Sequence, residues 1–119
     1  MVICDLEAGV GPVVRSGRTD LVLVVAESSV KSMDVARRSA AAADSAEVIV
    51  VANRVRGEAD VEAIRAELGD YEMVVVPEDG TIARADEEGR APIDLDPDAP
   101  GVAELLRLAE RLGRQPAHV

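Results

Sequence analysis

Aromatic side chains and cysteine are nearly absent from this sequence of 119 residues. Phe and Trp do not occur, Tyr71 is the only aromatic residue, and Cys4 is the only cysteine. A single cysteine excludes an intramolecular disulfide and is consistent with a reducing, cytoplasmic location. Without bulky aromatics, Val, Ala, Leu and Ile must fill the core, and these small side chains suit helices packed closely on a sheet.

Positive charge and long apolar runs are also scarce. The chain has 13 Lys and Arg against 23 Asp and Glu, which gives a formal net charge of −10. Lys31 is the only lysine and the arginines are scattered, so we expect no nucleic-acid partner, because phosphate-backbone binding needs clustered cations. No apolar run approaches the ~20 residues of a membrane span, and we expect no membrane partner.

Four short apolar runs are rich in Val and Ile and do not alternate with polar residues. They are residues 2–4, 21–26, 48–52 and 73–76. Continuous β-branched runs of this length are typical of strands that are buried on both faces, as in a parallel sheet. Hydrophobic residues make up 48% of the chain, and its length is sufficient for one globular domain spanning residues 1–119.

The segments between these strands have helical patterns. The predicted helices cover residues 30–43, 58–68 and 81–88, with a last helix from near Pro100 to Gly113; residues 90–98 are predicted to form a polar loop. Strands that alternate with helices indicate βαβ units with right-handed crossovers. The predicted fold class is therefore α/β, a parallel open sheet of about four strands with flanking helices.

Polar residues follow each predicted strand. The four tips read Asp5-Leu6-Glu7-Ala8-Gly9, Glu27-Ser28-Ser29, Asn53-Arg54 and Pro77-Glu78-Asp79. In open α/β sheets, ligands bind outside the carboxyl ends of the strands. Taken singly, each group also has a purely structural interpretation, such as a helix cap for Asp5, Ser28 or Ser29.

The chemistry of these tips suits a nucleotide. An aspartate after an apolar strand can hold magnesium through water, and a glycine such as Gly9 lets the backbone approach a phosphate closely. The amide of Asn53 offers both a donor and an acceptor to a purine edge, and the guanidinium of Arg54 can stack on a flat base.

The segment Val-Ile-Cys-Asp-Leu-Glu-Ala-Gly (2–9) resembles the Walker B and switch region of the MinD/ParA-like deviant-Walker P-loop ATPases. Its Glu-Ala-Gly form is most similar to the CooC-type ATPases, which assist nickel insertion into carbon monoxide dehydrogenase. Three further segments, residues 21–29, 50–56 and 76–80, resemble segments of the same family in the same order. The resemblance implies a three-layer, Rossmann-like P-loop NTPase fold.

The resemblance also implies site residues and cofactors. Asp5 corresponds to the Walker B aspartate, which contacts Mg²⁺ through water when a nucleotide is bound, and Gly9 corresponds to the switch glycine. The residues that correspond to the adenine pocket are Asn53, Arg54, Pro77, Glu78 and Asp79. The implied cofactors are ATP or ADP with Mg²⁺, and the CooC likeness implies a metalloenzyme client.

A phosphate-binding loop is the part of this family that the sequence does not contain. Such a loop needs glycines and a lysine that reaches the outer phosphates, whereas Lys31 lies in a predicted helix. We therefore expect the chain to correspond to the C-terminal half of such a domain and not to hydrolyse ATP alone. We also expect strand 2–4 to pair with strand 21–26, or a second copy of the chain to fill that edge.

Two other functions are compatible with the sequence. A non-catalytic dimerisation or regulatory module would bind a second copy or a full-length ATPase relative. An unrelated receiver- or flavodoxin-type domain fits less well, because a receiver needs a lysine late in the chain and this sequence has none there.

Overall fold

The computed structural model describes residues 21–43 and 46–113. The predicted strand 2–4, with Asp5 and Gly9, lies outside the described residues. In chain order the elements are β1 (Leu21–Ala26), α1 (Val30–Ala42), β2 (Glu47–Val55), α2 (Glu58–Leu68), β3 (Glu72–Pro77), α3 (Gly80–Glu88), α4 (Pro92–Leu95) and α5 (Pro100–Gly113).

The three described strands form one parallel sheet in the order β1-β2-β3. Ala26 at the end of β1 lies opposite Ala52 of β2, and Val51 of β2 lies opposite Val74 of β3. The carboxyl ends of all three strands therefore meet at one edge of the sheet. The predicted α/β class with a parallel sheet and flanking helices is confirmed.

Alternate residues of the strands pack into two separate cores. On one face, Val24 and Ala52 pack against Ala36 of α1 and Ile64 of α2. On the other face, Val51 and Val76 are buried against Leu108 of α5, with Val74 and Leu112 beside them. Small and branched side chains fill both cores. Because α1 and α2 pack on one face and α5 packs on the other, the sheet lies between two layers of helices, as in a three-layer fold.

A capping serine marks the start of α1, and glycines mark the ends of α2 and α3. The hydroxyl of Ser29 accepts a hydrogen bond from the Ser32 amide at 3.2 Å and caps α1. Gly69 follows α2 with φ 100°, and Gly89 ends α3 in the left-handed conformation with φ 66°. Glycine suits both positions because it adopts a positive φ without steric cost.

The structure corrects two predicted boundaries. Residues 90–98 are not simply a loop, because Pro92–Leu95 form α4; Pro92 is favourable at a helix start, where its missing N–H would be unpaired anyway. Asn53 and Arg54 do not follow β2 but lie inside it. Arg54 has φ 55°, and the register of the pairing with β3 shifts between Ala52 and Val55. Such a bulge-like irregularity disturbs the pairing locally, and the strand continues beyond it to Val55.

At the amino-terminal ends of the strands, Arg111 of α5 forms ion pairs with residues of β2 and β3. Its Nη2 lies 2.6 Å from Glu72 Oε2 and 3.3 Å from Glu47 Oε1, so one guanidinium links the first residues of β2 and β3. These ion pairs lie at the end of the sheet opposite the carboxyl ends of the strands, and α5 packs on the sheet through Leu108 and Leu112. None of the helices in the described part of the chain is long and apolar enough to span a membrane.

Candidate functional site

A cleft of about 460 Å³ opens at the carboxyl edge of the sheet, beside the ends of β2 and β3. All five residues predicted to form an adenine pocket line it: Asn53, Arg54, Pro77, Glu78 and Asp79. The amide of Glu78 donates to the Val55 carbonyl at 2.9 Å, so the tips of the two strands are joined. The sheet thus brings Asn53 and Arg54 close to the segment 77–79, which is distant from them in the sequence.

The walls of the cleft are partly apolar. Pro77 comes from the end of β3, Ile82 and Ala83 come from the first turns of α3, and Pro92 comes from the start of α4. The last three were not predicted as site residues. Ile82 and Ala83 could have been inferred from their place in the predicted helix that follows Asp79, whereas the contribution of Pro92 depends on α4.

Arg54 lies between two carboxylates. Its Nη1 is 3.6 Å from Glu27 Oε1, and its Nη2 is 3.9 Å from Glu78 Oε1. Glu27 follows β1 and Glu78 follows β3, so the ends of three neighbouring strands contribute to this cluster. The side chain of Arg54 is 64% exposed, and ion pairs at this exposure are weak. A ligand could therefore reorient the guanidinium at little energetic cost.

Both carboxylate oxygens of Asp79 accept hydrogen bonds from backbone amides. Its Oδ1 accepts a hydrogen bond from the Thr81 amide at 2.9 Å and thereby caps α3. Its Oδ2 accepts from the Gly101 amide, at the start of α5, at 2.8 Å. Partial burial raises the pKa of the Asp79 carboxyl, but the hydrogen bonds from Thr81, Gly101 and Val102 outweigh burial, so the pKa is lowered.

The contact between Asp79 and Gly101 requires glycine at position 101. A Cβ placed on Gly101 would lie 2.9 Å from Asp79 Cβ and 3.0 Å from Ile82 Cδ1. Gly101 therefore lets the start of α5 approach the wall of the cleft. No local sequence pattern predicts this contact, because the two residues are 22 positions apart.

Two polar side chains in the cleft have no side-chain partner among the described residues. Asn53 and Asp86 both line the cleft, and neither side chain makes a hydrogen bond or ion pair within residues 21–43 and 46–113. Asn53 can donate and accept, whereas an ionised Asp86 can only accept.

Of the remaining predicted polar tip, Glu27-Ser28-Ser29, the residues Glu27 and Ser29 line a second and more open depression of about 360 Å³, which Lys31 also lines. Ser29 caps α1, and the Ser32 hydroxyl accepts from the Glu27 amide at 2.9 Å. The seryl groups here therefore have local structural roles. Within the described ranges, no group of three or more His, Cys, Asp or Glu side chains is placed to hold a metal ion.

Comparison with known proteins shows which solved structures have a similar fold. No protein-family profile matches the chain, and no curated protein matches it. Among solved structures, the chain is similar to the MinD cell division protein of Aquifex aeolicus, with a TM-score of 0.65 and 25% sequence identity. The match covers 84% of this chain and 46% of that chain. The chain therefore spans about half the length of that structure.

The strand pattern predicted a parallel α/β fold and the sequence resemblance implied a P-loop NTPase-like form of it, and this likeness confirms both. It also supports a relationship with the MinD/ParA-like P-loop ATPases.

Proposed function

We propose that this cleft binds the adenine base of a nucleotide. The observation that supports the proposal most strongly is the convergence of Asn53, Arg54, Pro77, Glu78 and Asp79 on one cleft at the carboxyl edge of a parallel sheet. Ligands of open α/β folds bind at this edge. The cleft volume of about 460 Å³ falls within the roughly 300–1,000 Å³ of small-molecule sites.

The residues of the cleft suit a flat base with polar edges. Asn53 can donate to a ring nitrogen and accept from an exocyclic amino group, which is the pattern of an adenine edge. The planar guanidinium of Arg54 can stack on the ring. Apolar contacts from Pro77 and Ile82 can pack against the base, while Asp79 fixes the wall of the cleft by capping α3.

The proposal extends to the phosphates. Asp5 would contact Mg²⁺ through water and Gly9 would approach the terminal phosphate. Lys31 lies in α1, and the loop before it, Glu27-Ser28-Ser29, has no glycine, so we propose that Lys31 does not act as a P-loop lysine. The chain would therefore be the nucleotide-binding C-terminal half of a MinD/ParA- or CooC-like domain, without ATP hydrolysis of its own.

The proposal also covers the location of the chain, its partner and its client enzyme. The chain would act in the cytoplasm, as a homodimer or with a full-length ATPase relative, and its client would be a metalloenzyme, as the likeness to CooC-type ATPases implies.

A dimerisation or regulatory module is the second candidate. Leu23 and Val25 of β1 are 38% and 58% exposed, and β1 is an edge of the sheet formed by the described strands. An apolar edge strand can pair with another chain. Under this alternative, light scattering would show a stable dimer and calorimetry would show no nucleotide binding.

Calorimetric titration with ADP and Mg²⁺ tests the proposed function. We expect the wild-type chain to bind, and we expect Asn53→Ala and Arg54→Ala each to weaken binding about tenfold, since each removes a direct contact worth about 1.4 kcal/mol. Arg38→Ala is the matched control, because Arg38 is also an exposed arginine with a weak carboxylate neighbour, at 3.9 Å.

Three results would contradict the proposal. They are no ADP binding, equal affinity of the Asn53→Ala variant and wild type, and an Arg38→Ala variant as impaired as Arg54→Ala. Rapid phosphate release from ATP by the chain alone would contradict the lack of hydrolysis but not the base site.

A further inference from the structure

Arg90 lines the cleft, although it lies outside both segments that were predicted to form the site. It follows Gly89, which ends α3 in the left-handed conformation. The Arg90 amide donates to the Ala85 carbonyl at 2.9 Å, and the Gly89 amide donates to the Asp86 carbonyl at 3.2 Å. This is the Schellman arrangement of a helix end. The end of α3 therefore fixes the backbone from which the Arg90 side chain leaves.

The guanidinium of Arg90 has contacts on both α3 and α4. Its Nη2 donates to the Asp94 carbonyl at 3.5 Å, and its Nη1 lies 4.0 Å from Glu88 Oε1. Both contacts are long and the side chain is 49% exposed, so they are weak. The guanidinium can therefore turn onto a ligand at little cost. Because Pro92 also lines the cleft, α4 contributes both an apolar ring and a contact for Arg90.

The cleft residues that share this wall with Arg90 suit a flat ring better than a phosphate. Ile82 and Pro92 supply apolar surface, and Asp86 adds a carboxylate, whose charge disfavours a phosphate close by. The proposed function assigns the phosphates to residues that follow the predicted strand 2–4. A guanidinium is planar and stacks on aromatic rings, to which its charge also attracts it. The wall thus favours contact between Arg90 and the base.

We propose that Arg90 is a second arginine, besides Arg54, that contacts the bound adenine through its planar guanidinium. This inference rests on the proposed function, since it assumes that the cleft binds adenine. Arg90 then contributes to the affinity for the base and not to the affinity for the phosphates. Its removal should therefore weaken the binding of adenosine and of ADP by the same factor.

Calorimetric titrations of the full chain with adenosine, and with ADP and Mg²⁺, test this role. We expect Arg90→Ala to weaken both ligands about fivefold, as for a partly exposed cation–π contact. Arg90→Lys should be about as weak, because lysine keeps the charge but not the planar group. Arg84→Ala is the matched control: Arg84 is an exposed arginine of α3 that also contacts Glu88, with its Nε 3.7 Å from Oε2, but it does not line the cleft.

The outcomes separate the inference from the proposed function. A loss that is confined to ADP, or full recovery of affinity by Arg90→Lys, would assign Arg90 to a phosphate and overturn the inference. Unchanged affinity of Arg90→Ala, or an equal loss in Arg84→Ala, would also overturn it. In each of these cases the adenine site stands if Asn53→Ala still weakens binding. No binding of either compound by the wild-type chain would overturn the proposed function, and the inference with it.

Discussion

Replacing Gly101 by Ala is expected to lower the free energy of unfolding by about 1–3 kcal/mol, the usual cost of forcing an extra methyl into a packed contact. The new Cβ would meet Asp79 Cβ at 2.9 Å and Ile82 Cδ1 at 3.0 Å. Alanine favours helix over glycine by up to ~1 kcal/mol. The clash is expected to outweigh this gain, because Asp79 is held on both oxygens and cannot move away freely.

Gly113→Ala is the matched control for this substitution. Gly113 belongs to the same helix, and a Cβ placed there would meet no atom of the described residues within 4 Å. Urea unfolding followed by circular dichroism should show little change or a slight gain in stability for Gly113→Ala. If Gly101→Ala were as stable as Gly113→Ala, the close approach of α5 to the cleft wall would be wrong.

Asp79→Ala is expected to destabilise the chain by about 1–3 kcal/mol, since one side chain caps two helices and each lost cap costs about 1 kcal/mol. The Thr81 and Gly101 amides would lose their partners, and the start of α5 would detach from the end of β3. Asp70→Ala is a suitable control, because Asp70 is an exposed aspartate with no side-chain hydrogen bond among the described residues. Similar stabilities of the two variants would contradict the double cap.

The Asp79 caps also have a defined pH dependence. The pKa of Asp79 is lowered in the folded chain, so the unfolded chain binds a proton more readily than the folded one. The stabilising contribution is therefore complete above the unfolded pKa, and it is lost as the pH falls through the folded pKa. The stability difference between wild type and Asp79→Ala should accordingly shrink in acid, as urea unfolding at a series of pH values would show.

The architecture was predictable because it depends on local patterns. The β-branched run Leu21–Ala26 defines β1 without error, and Gly69 and Gly89 end α2 and α3 where the sequence indicates. The grouping of Asn53 with Pro77 in one cleft followed from parallel topology, since neighbouring strands expose their carboxyl ends at one edge.

The details that depend on tertiary contacts were not predictable. The apolar run ends at Ala52, but Val55 pairs with Pro77, so Asn53 and Arg54 belong to β2. Asp79 could be inferred as a helix cap from Asp-Gly-Thr before a helical pattern. Its second bond, to Gly101, joins residues too far apart in sequence for any local signal.

The adenine site itself is tested most directly by ¹H–¹⁵N NMR spectra of the chain titrated with ADP and Mg²⁺. We expect the amide resonances of Asn53, Arg54, Glu78 and Ala83 to move together and to saturate with one dissociation constant. Resonances around the other depression, at Lys31 and Ser32, should stay in place. Unchanged cleft resonances, or saturable shifts confined to Lys31 and Ser32, would contradict an adenine site in the cleft.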